Sequence, residues 1–248
     1  MSQFQIFSSS QIASLRKGGA ILRSCLEHVA AMVRPGITTR QLDQAAEKFI
    51  LDHGAFPGFK GYHSFPATLC TSVNEQCVHG IPGDRVLNEG DIVSLDCGVI
   101  YEDLYTDACI TVPVGKISVE FQKFLTVTEE ALNKACAIVR KGTHVGDISA
   151  LIQKTVEGGG YSCVSALTGH GLGSTLHQFP DIPNVGEAGT GPVLPAHTLI
   201  AIEPITAMGE GRIKEENDGW TIATADGSLS VHFEHTVLVT EEGCEIIA

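Results

Sequence analysis

VRPGITTRQLDQAAEKFILDHGAF, at residues 33–56, matches VRKGTHVGDISALIQKTVEGGGYS, at residues 139–162, when the chain is shifted by 106 positions. The identical pairs are Val33/Val139, Arg34/Arg140, Gly36/Gly142, Lys48/Lys154 and Gly54/Gly160. Five identities are few, but both segments also share a glycine turn, a helical apolar period and a second glycine. The repeat predicts one domain, residues 1–248, built from two related halves at about 9–115 and 116–248.

Each half is predicted to contain two helices followed by strands. The first helix starts at a Ser8/Gln11 capping-box pattern and stops at Pro35-Gly36. The other predicted helices cover residues 39–52, about 118–140 and 145–157. The predicted strands are DIVSLDCGVI at 91–100, TDACITVPV at 106–114, HTLIAIEPI at 197–205 and SVHFEHTVLVT at 230–240.

Each of these four strands carries one acid among apolar residues. The acids are Asp96, Asp107, Glu203 and Glu234. Burying even a neutral polar group without a partner costs about 2–7 kcal/mol, and a charge costs more, so four such positions need a common explanation. The shift of 106 positions brings Asp96 to position 202, one residue from Glu203. Two halves related by a pseudo-twofold axis would therefore bring the four carboxylates together at the centre.

Carboxylates that meet raise one another's pKa and cannot all ionise without a cation. The sequence therefore predicts a divalent metal site, whose oxygen-rich donors favour Mn²⁺, Fe²⁺ or Co²⁺, with Zn²⁺ also possible. The glycine-rich segment TGHGLGSTLHQFP offers His170 as a nitrogen ligand and His177 as a nearby hydrogen-bond donor. His79, on a Gly/Pro-bounded turn, could reach the same cavity. We interpret His232 and His235 as structural, because strand alternation points His235 away from Glu234.

Composition excludes several functional classes. With 16 basic and 29 acidic residues, the net charge of −13 argues against binding to nucleic acid or to an anionic membrane. The segment MSQFQIFSSSQ has neither a basic n-region nor an apolar h-region, and no apolar run approaches ~18 residues. Eight cysteines without a CxxC pair predict reduced thiols. These features indicate a cytoplasmic protein.

Five motifs follow one another in the order and approximate spacing typical of type I methionine aminopeptidases. They are NEQCVHGIPGDRVLNEGDIVSLDCGV, YTDACITVPVG, TGHGLGSTLHQFP, IAIEPI and FEHTVLVTEEGCEI, and the resemblance covers nearly the whole chain. It implies an α/β (α+β) "pita-bread" fold with pseudo-twofold symmetry, in which helices cover antiparallel sheets. It also implies removal of the initiator methionine from nascent chains when the second residue is small.

The same resemblance implies how the site is divided among residues. Two divalent ions (Co²⁺, Mn²⁺, Fe²⁺ or Zn²⁺) would be held by Asp96, Asp107, His170, Glu203 and Glu234. Asp107 and Glu234 would bridge both ions, and Glu203 would also accept a proton. His79 and His177 would face the scissile amide. The methionine pocket would be lined by Tyr62, His63, Phe65, Cys70 and Trp220. Leu176 stands where several relatives carry an aromatic residue.

Three alternatives remain open at this stage. An X-Pro aminopeptidase or prolidase would use the same five ligands but usually carries an additional N-terminal domain. A type II methionine aminopeptidase would carry a helical insertion in the second half, where only 26 positions separate His177 from Glu203. A non-catalytic pita-bread binding module would have lost ligands, whereas all five ligand types are present. The expected partners are nascent peptide N-termini and, transiently, the ribosome, and the protein is expected to be a monomer.

Overall fold

The computed structural model describes residues 3–248, and its four α-helices start where the sequence predicts. They are α1 (Ser9–Ala30), α2 (Thr39–Asp52), α3 (Val119–Ala137) and α4 (Val145–Gly158). At the start of α1, the backbone N–H of Gln11 donates to Ser8 Oγ at 3.4 Å and the backbone N–H of Ser8 donates to Gln11 Oε1 at 3.0 Å. These two bonds form the expected capping box.

Helices α1 and α3 end earlier than predicted. α1 ends at Ala30 and not at Pro35, and α3 ends at Ala137 and not at Arg140. In both cases the chain tightens into turns closed by i→i−3 hydrogen bonds, from Val33 N–H to the Ala30 carbonyl and from Val139 N–H to the Cys136 carbonyl, each 3.1 Å. Such tight turns are a common way for a helix to satisfy its last carbonyl groups.

The two helical segments that match in sequence also match in structure. α2 and α4 both have 14 residues and start 106 positions apart. Gly36 and Gly142 both have φ = 90°, a left-handed conformation that favours glycine. Gly36 N–H donates to the Leu87 carbonyl at 2.8 Å, and Gly142 N–H donates to the Leu194 carbonyl at 2.9 Å. These equivalences support the division into two related halves, which stays a prediction.

The strands form four sheets, and all their pairings are antiparallel. The first-half strands are β1 (Phe56–Pro57), β2 (Leu69–Val73), β3 (Gln76–Val78), β4 (Ile92–Tyr101) and β5 (Leu104–Pro113). The second-half strands are β6 (Ser162–Cys163), β7 (Thr168–Gly171), β8 (Gln178–Pro183), β9 (Leu199–Ile202), β10 (Ile205–Ala207), β11 (Ile213–Glu215), β12 (Ile222–Thr224), β13 (Ser230–His232), β14 (His235–Val239) and β15 (Cys244–Ile246). The sheets have the orders β1-β4-β2 with β5 beside β4, β15-β14-β9-β7-β8, β13-β10-β6 and β11-β12-β3.

Two strands that the sequence predicts as continuous are interrupted. Residues 197–205 divide into β9 and β10, and residues 230–240 divide into β13 and β14. β9 and β14 pair in the five-stranded sheet, whereas β10 and β13 pair in a three-stranded sheet. Ile202 lies opposite His235 and Ile205 lies opposite His232, so the two interruptions face each other. Pro204 has no N–H to continue the ladder, which gives the first interruption a local cause.

The apolar core has two main parts, one under each pair of helices. The first packs α1 against β4 and β5, and α2 against α1, β1 and β2, with Leu22, Leu42 and Leu95 fully buried. The second packs α3 and α4 against the second-half sheets, with Phe124 and Ile148 fully buried. The acid-bearing strands lie on the inner side of both helix pairs. Within the described residues, none of the helices combines the length and apolar character needed to span a lipid bilayer. All eight cysteines are free thiols.

Candidate metal centre

The β4–β5 hairpin places the two aspartates on one face of their sheet. Its turn consists of Glu102 and Asp103, whose φ values of 49° and 60° suit the tight two-residue turns that match strand twist. In the resulting register Asp96 lies opposite Cys109, and Asp107 lies opposite Gly98. Side chains two residues apart on a strand share a face, so Asp96 and Asp107 are diagonal neighbours.

The two glutamates lie at the interruptions between sheets. Glu203 follows β9 and Glu234 precedes β14. The segment between β13 and β14 is joined to β5 by an isolated β-bridge, in which Glu234 N–H donates to the Cys109 carbonyl at 2.9 Å. Asp107 N–H donates to Thr236 Oγ1 at 2.9 Å and ties the same two regions together. The second-half acids therefore meet the hairpin acids across the centre of the molecule.

His170 supplies a nitrogen atom to the same place. Its Nδ1 lies 3.0 Å from the Gly171 carbonyl and donates to it, so Nε2 keeps its lone pair. Nε2 lies 3.5 Å from Glu203 Oε1. One ligand atom each from Asp107, His170 and Glu234 lie within 4.8 Å of one another. A Cβ atom at position 169 would collide with the Ala201 carbonyl oxygen, so glycine there permits β7 to approach β9 closely.

The four acids are buried without a basic partner. Asp96, Asp107, Glu203 and Glu234 are 3–9% exposed, and across residues 3–248 their ion-pair contacts are to histidines alone. Burial is the largest cause that raises the pKa of each acid, and for Asp107, Glu203 and Glu234 the neighbouring carboxylates raise the pKa further. Burial also lowers the pKa of His170 to about 3, so this ring is neutral at physiological pH.

These groups fit a divalent cation. Three carboxylate oxygens are buried and have no hydrogen-bond partner in the part of the chain that the structure describes: Asp96 Oδ1, Asp107 Oδ1 and Glu234 Oε1. Unpartnered buried carboxylate oxygens are costly, and a bound metal ion is one of the few groups that can satisfy several at once. Four carboxylates and a neutral imidazole are donors that suit divalent first-row transition metals.

The remaining predicted site residues line the same cavity. They are Tyr62, His63, Phe65, Cys70, His79, His177 and Trp220. His177 Nδ1 lies 2.9 Å from the Tyr62 hydroxyl. In the tautomer in which the hydroxyl donates to Nδ1, the Nε2–H of His177 is free to donate elsewhere. His79 has a left-handed backbone (φ = 58°), and burial lowers its pKa to about 4. Both histidines are therefore suited to act as neutral hydrogen-bond donors.

An apolar pocket adjoins the acids. Phe65 and Trp220 pack edge to face with ring centroids 5.1 Å apart, and Leu176 is buried in the same cluster. Cys70 lies opposite Asp96, and burial, with the nearby carboxylates, raises the pKa of its thiol well above the usual value. Cys70 is therefore a neutral thiol that forms part of the apolar wall.

The cavity is also lined by three residues that the sequence analysis did not place in the site, Phe59, Val78 and His232. We interpreted His232 as structural, but its Nε2 lies 3.5 Å from Glu203 Oε2 and 3.8 Å from Glu234 Oε2. His232 and Glu234 are two residues apart, so strand alternation already indicates that they share a face. His235 points away as predicted, with Nδ1 3.0 Å from the Ala248 carbonyl.

Comparison with known proteins identifies one family. Residues 13–241 match the model of metallopeptidase family M24. The chain is 47% identical over 240 residues to a methionine aminopeptidase of Clostridium perfringens, a match that covers 97% of this chain and 96% of that protein. A crystal structure of methionine aminopeptidase from Thermotoga maritima superposes with a TM-score of 0.97 at 40% identity and covers 99% of each chain. The predicted pita-bread architecture is confirmed.

A prolidase from Pyrococcus furiosus shares the fold alone. Its TM-score is 0.76 at 20% identity, and the match covers 98% of this chain but 64% of the prolidase. The additional length of that protein agrees with the expectation that prolidase-like enzymes carry a further domain.

Proposed function

The chain belongs to metallopeptidase family M24, among the methionine aminopeptidases, and we propose that it cleaves the bond after an N-terminal methionine in the cavity lined by the four buried acids and His170. It is a metal-dependent exopeptidase that removes methionine from the N-terminus of peptides. The observation that carries the assignment to this cavity is the convergence of buried carboxylate oxygens that have no hydrogen-bond partner among residues 3–248.

We propose that five side chains hold two divalent ions: Asp96, Asp107, His170, Glu203 and Glu234. Asp107, His170 and Glu234, whose ligand atoms lie within 4.8 Å of one another, would form the centre of this ligand set. Two dications would balance four carboxylates, and the oxygen-rich donors favour Mn²⁺, Fe²⁺ or Co²⁺, with Zn²⁺ as a further candidate. Metal bound there supplies Lewis-acid activation of the substrate carbonyl and of the attacking water.

Glu203 is proposed to move the proton. It accepts a proton from the attacking water and passes it to the amine of the leaving peptide. Its two oxygens face His170 on one side and His232 on the other, so the carboxylate is oriented within the cavity.

His79 and His177 are proposed to donate hydrogen bonds to the scissile amide as negative charge develops on its oxygen. We expect His79→Ala and His177→Ala each to lower kcat by ~10²- to 10³-fold, the typical cost of removing one such donor. The metal content should stay at the wild-type level because neither ring is proposed to bind metal. Steady-state hydrolysis of a Met-Ala peptide and elemental analysis measure the two quantities.

His53→Ala is the matched control for these variants, because His53 is exposed and stacks on Phe49 away from the cavity. Its kcat should equal that of the wild type. Loss of metal from the His79 or His177 variant would instead make that histidine a metal ligand.

The apolar pocket is proposed to hold the methionine side chain. Phe65, Trp220 and Tyr62 offer aromatic surfaces, and a thioether sulfur gains about 0.3–1.5 kcal/mol from such a contact, which leucine cannot reproduce. The buried acids lie next to this pocket, where they would meet a free α-amino group. The residue after methionine would face His79 and His177, so a small side chain fits best.

A peptide panel tests the function. Met-Gly, Met-Ala and Met-Ser peptides should be cleaved well, and Met-Lys and Met-Phe peptides poorly. Leu-Ala peptides and N-formyl or N-acetyl peptides should resist cleavage. Mass spectrometry of the products decides the outcome, with chelator-treated protein as the control. Preferential cleavage of X-Pro peptides would support the prolidase-like alternative, and no cleavage by metal-loaded protein would support a binding module.

We further propose that the physiological substrates are the N-termini of nascent chains, met by a cytoplasmic monomer that contacts the ribosome transiently. The net charge of −13 opposes broad electrostatic binding to RNA, so any such contact would be brief and would depend on the emerging peptide.

A further inference from the structure

His232 is a buried histidine that the proposed reaction leaves without a role. It is 2% exposed, and neither of its ring nitrogens has a hydrogen-bond partner among the described residues. Its Nε2 lies between two carboxylates, 3.5 Å from Glu203 Oε2 and 3.8 Å from Glu234 Oε2. Burying a polar ring without hydrogen-bond partners costs folding free energy, so its presence at this position needs an explanation.

The main chain of His232 is firmly held. His232 N–H donates to Thr111 Oγ1 at 3.2 Å, and its carbonyl accepts from Thr111 Oγ1 at 2.6 Å. The Cys109 thiol also points to this carbonyl, at 3.4 Å. β13 further pairs His232 with Ile205 of β10. The backbone that carries the ring is therefore fixed by hydrogen bonds to β5 and by pairing with β10.

Glu203 has much less backbone support. It lies in the interruption between β9 and β10, outside the pairings of Ile202 with His235 and of Ile205 with His232, and next to Pro204, whose carbonyl accepts a long 3.4 Å bond from Phe233 N–H. Its carboxylate is nevertheless oriented, with Oε1 toward His170 and Oε2 toward His232. The orientation of this carboxylate must therefore come from side chains around it.

We propose that His232 is a positioning residue for Glu203. The carboxylate oxygens lie nearest to Nε2, so we assign the single N–H of a neutral imidazole to Nε2, from which it is directed at Glu203 Oε2 across 3.5 Å. This contact keeps Oε1 of Glu203 toward His170 and the other ligand atoms. Partners of this kind orient metal-binding side chains in many proteins, although they do not touch the metal. The inference rests on the proposed role of Glu203.

Metal affinity tests the proposal without relying on activity. Calorimetric titration of Mn²⁺ into metal-free protein should show about 10–100-fold weaker binding for His232→Leu, the usual cost of losing such a partner. His232→Gln keeps an N–H at a similar reach and should bind Mn²⁺ nearly as well as the wild type. His235→Leu, three residues away and facing the chain terminus, is the matched control and should leave the affinity unchanged. Unchanged affinity in His232→Leu would overturn the proposal.

A double-mutant cycle decides whether His232 acts through Glu203. His232→Leu should lower kcat in the wild-type background. In the Glu203→Gln background it should have little further effect, because the interaction through which His232 acts is already lost. Equal losses in both backgrounds would overturn positioning through Glu203. Loss of Mn²⁺ binding in both His232→Leu and His232→Gln would also overturn it and make His232 a direct ligand.

Failure of the proposed function gives a different result. If Glu203→Gln keeps wild-type kcat, the proton-transfer role of Glu203 is wrong, while the Mn²⁺ affinities still report on His232. If His232→Leu does not fold, His232→Asn replaces it: its amide keeps a donor on a shorter side chain, so it should bind Mn²⁺ more weakly than His232→Gln. Equal affinities of these two variants would contradict positioning.

Discussion

Complete removal of divalent metal should abolish peptide hydrolysis, and Mn²⁺, Fe²⁺ or Co²⁺ should restore it. The physical reason is the set of four buried acids whose contacts, within the described residues, include no lysine or arginine and whose pKa values are raised by burial. The measurement is turnover of a Met-Ala peptide by protein dialysed against a chelator, with metal content determined on the same sample.

Thermal unfolding separates loss of metal from loss of fold. A ligand at 100 times its Kd stabilises the folded state by about 2.7 kcal/mol, which corresponds to a rise in Tm of roughly 5–10 °C for a chain of this size. Metal-free protein should therefore unfold cooperatively at a lower temperature and recover when Mn²⁺ is added. Full activity in protein shown to be free of metal would refute the metal site.

Glu203→Gln should lower kcat by ~10²- to 10⁴-fold, the range expected when a general acid–base group is removed. The amide keeps an oxygen that can face the ligand cluster, but it has no basic site to accept a proton. KM should change much less than kcat, because the apolar pocket around Phe65 and Trp220 is untouched. Steady-state kinetics on the same Met-Ala peptide gives both constants.

Two controls accompany this variant. Glu241→Gln makes the same chemical change in an exposed acid that pairs with Lys141, and it should behave as the wild type. Elemental analysis of Glu203→Gln should show that the metal is retained, so that the loss of kcat is assigned to proton transfer. A raised KM with kcat preserved would exclude Glu203 as the proton carrier.

The first-half part of the site could be predicted closely because its geometry is local. Asp96 and Asp107 are eleven residues apart on one hairpin, and a two-residue turn fixes the register that sets them on one face. The capping box at Ser8 likewise depends on neighbours three residues apart. Interactions of this range follow from backbone periodicity and turn chemistry, which the sequence displays directly.

The second-half part could be predicted only in outline. The sequence indicates apolar strands around Glu203 and Glu234, but not that both strands are interrupted there and pass from one sheet to another. Nothing in the periodicity of residues 230–240 marks that change. It is a matter of pairing between distant segments, because β9 and β14 pair in the five-stranded sheet whereas β10 and β13 pair in a three-stranded sheet.

The sequence by itself determined where the four helices begin, the capping box at Ser8, the apolar segments that carry the four acids and the family to which their motifs belong. Only the tertiary structure decided that Tyr62 orients His177, 115 residues away, and that His232 faces Glu203. Contacts of 3–4 Å between residues far apart in sequence depend on how the two halves pack. A displacement smaller than one side chain is enough to break such a contact. Sequence patterns specify which face a residue takes, and packing specifies which atom it meets.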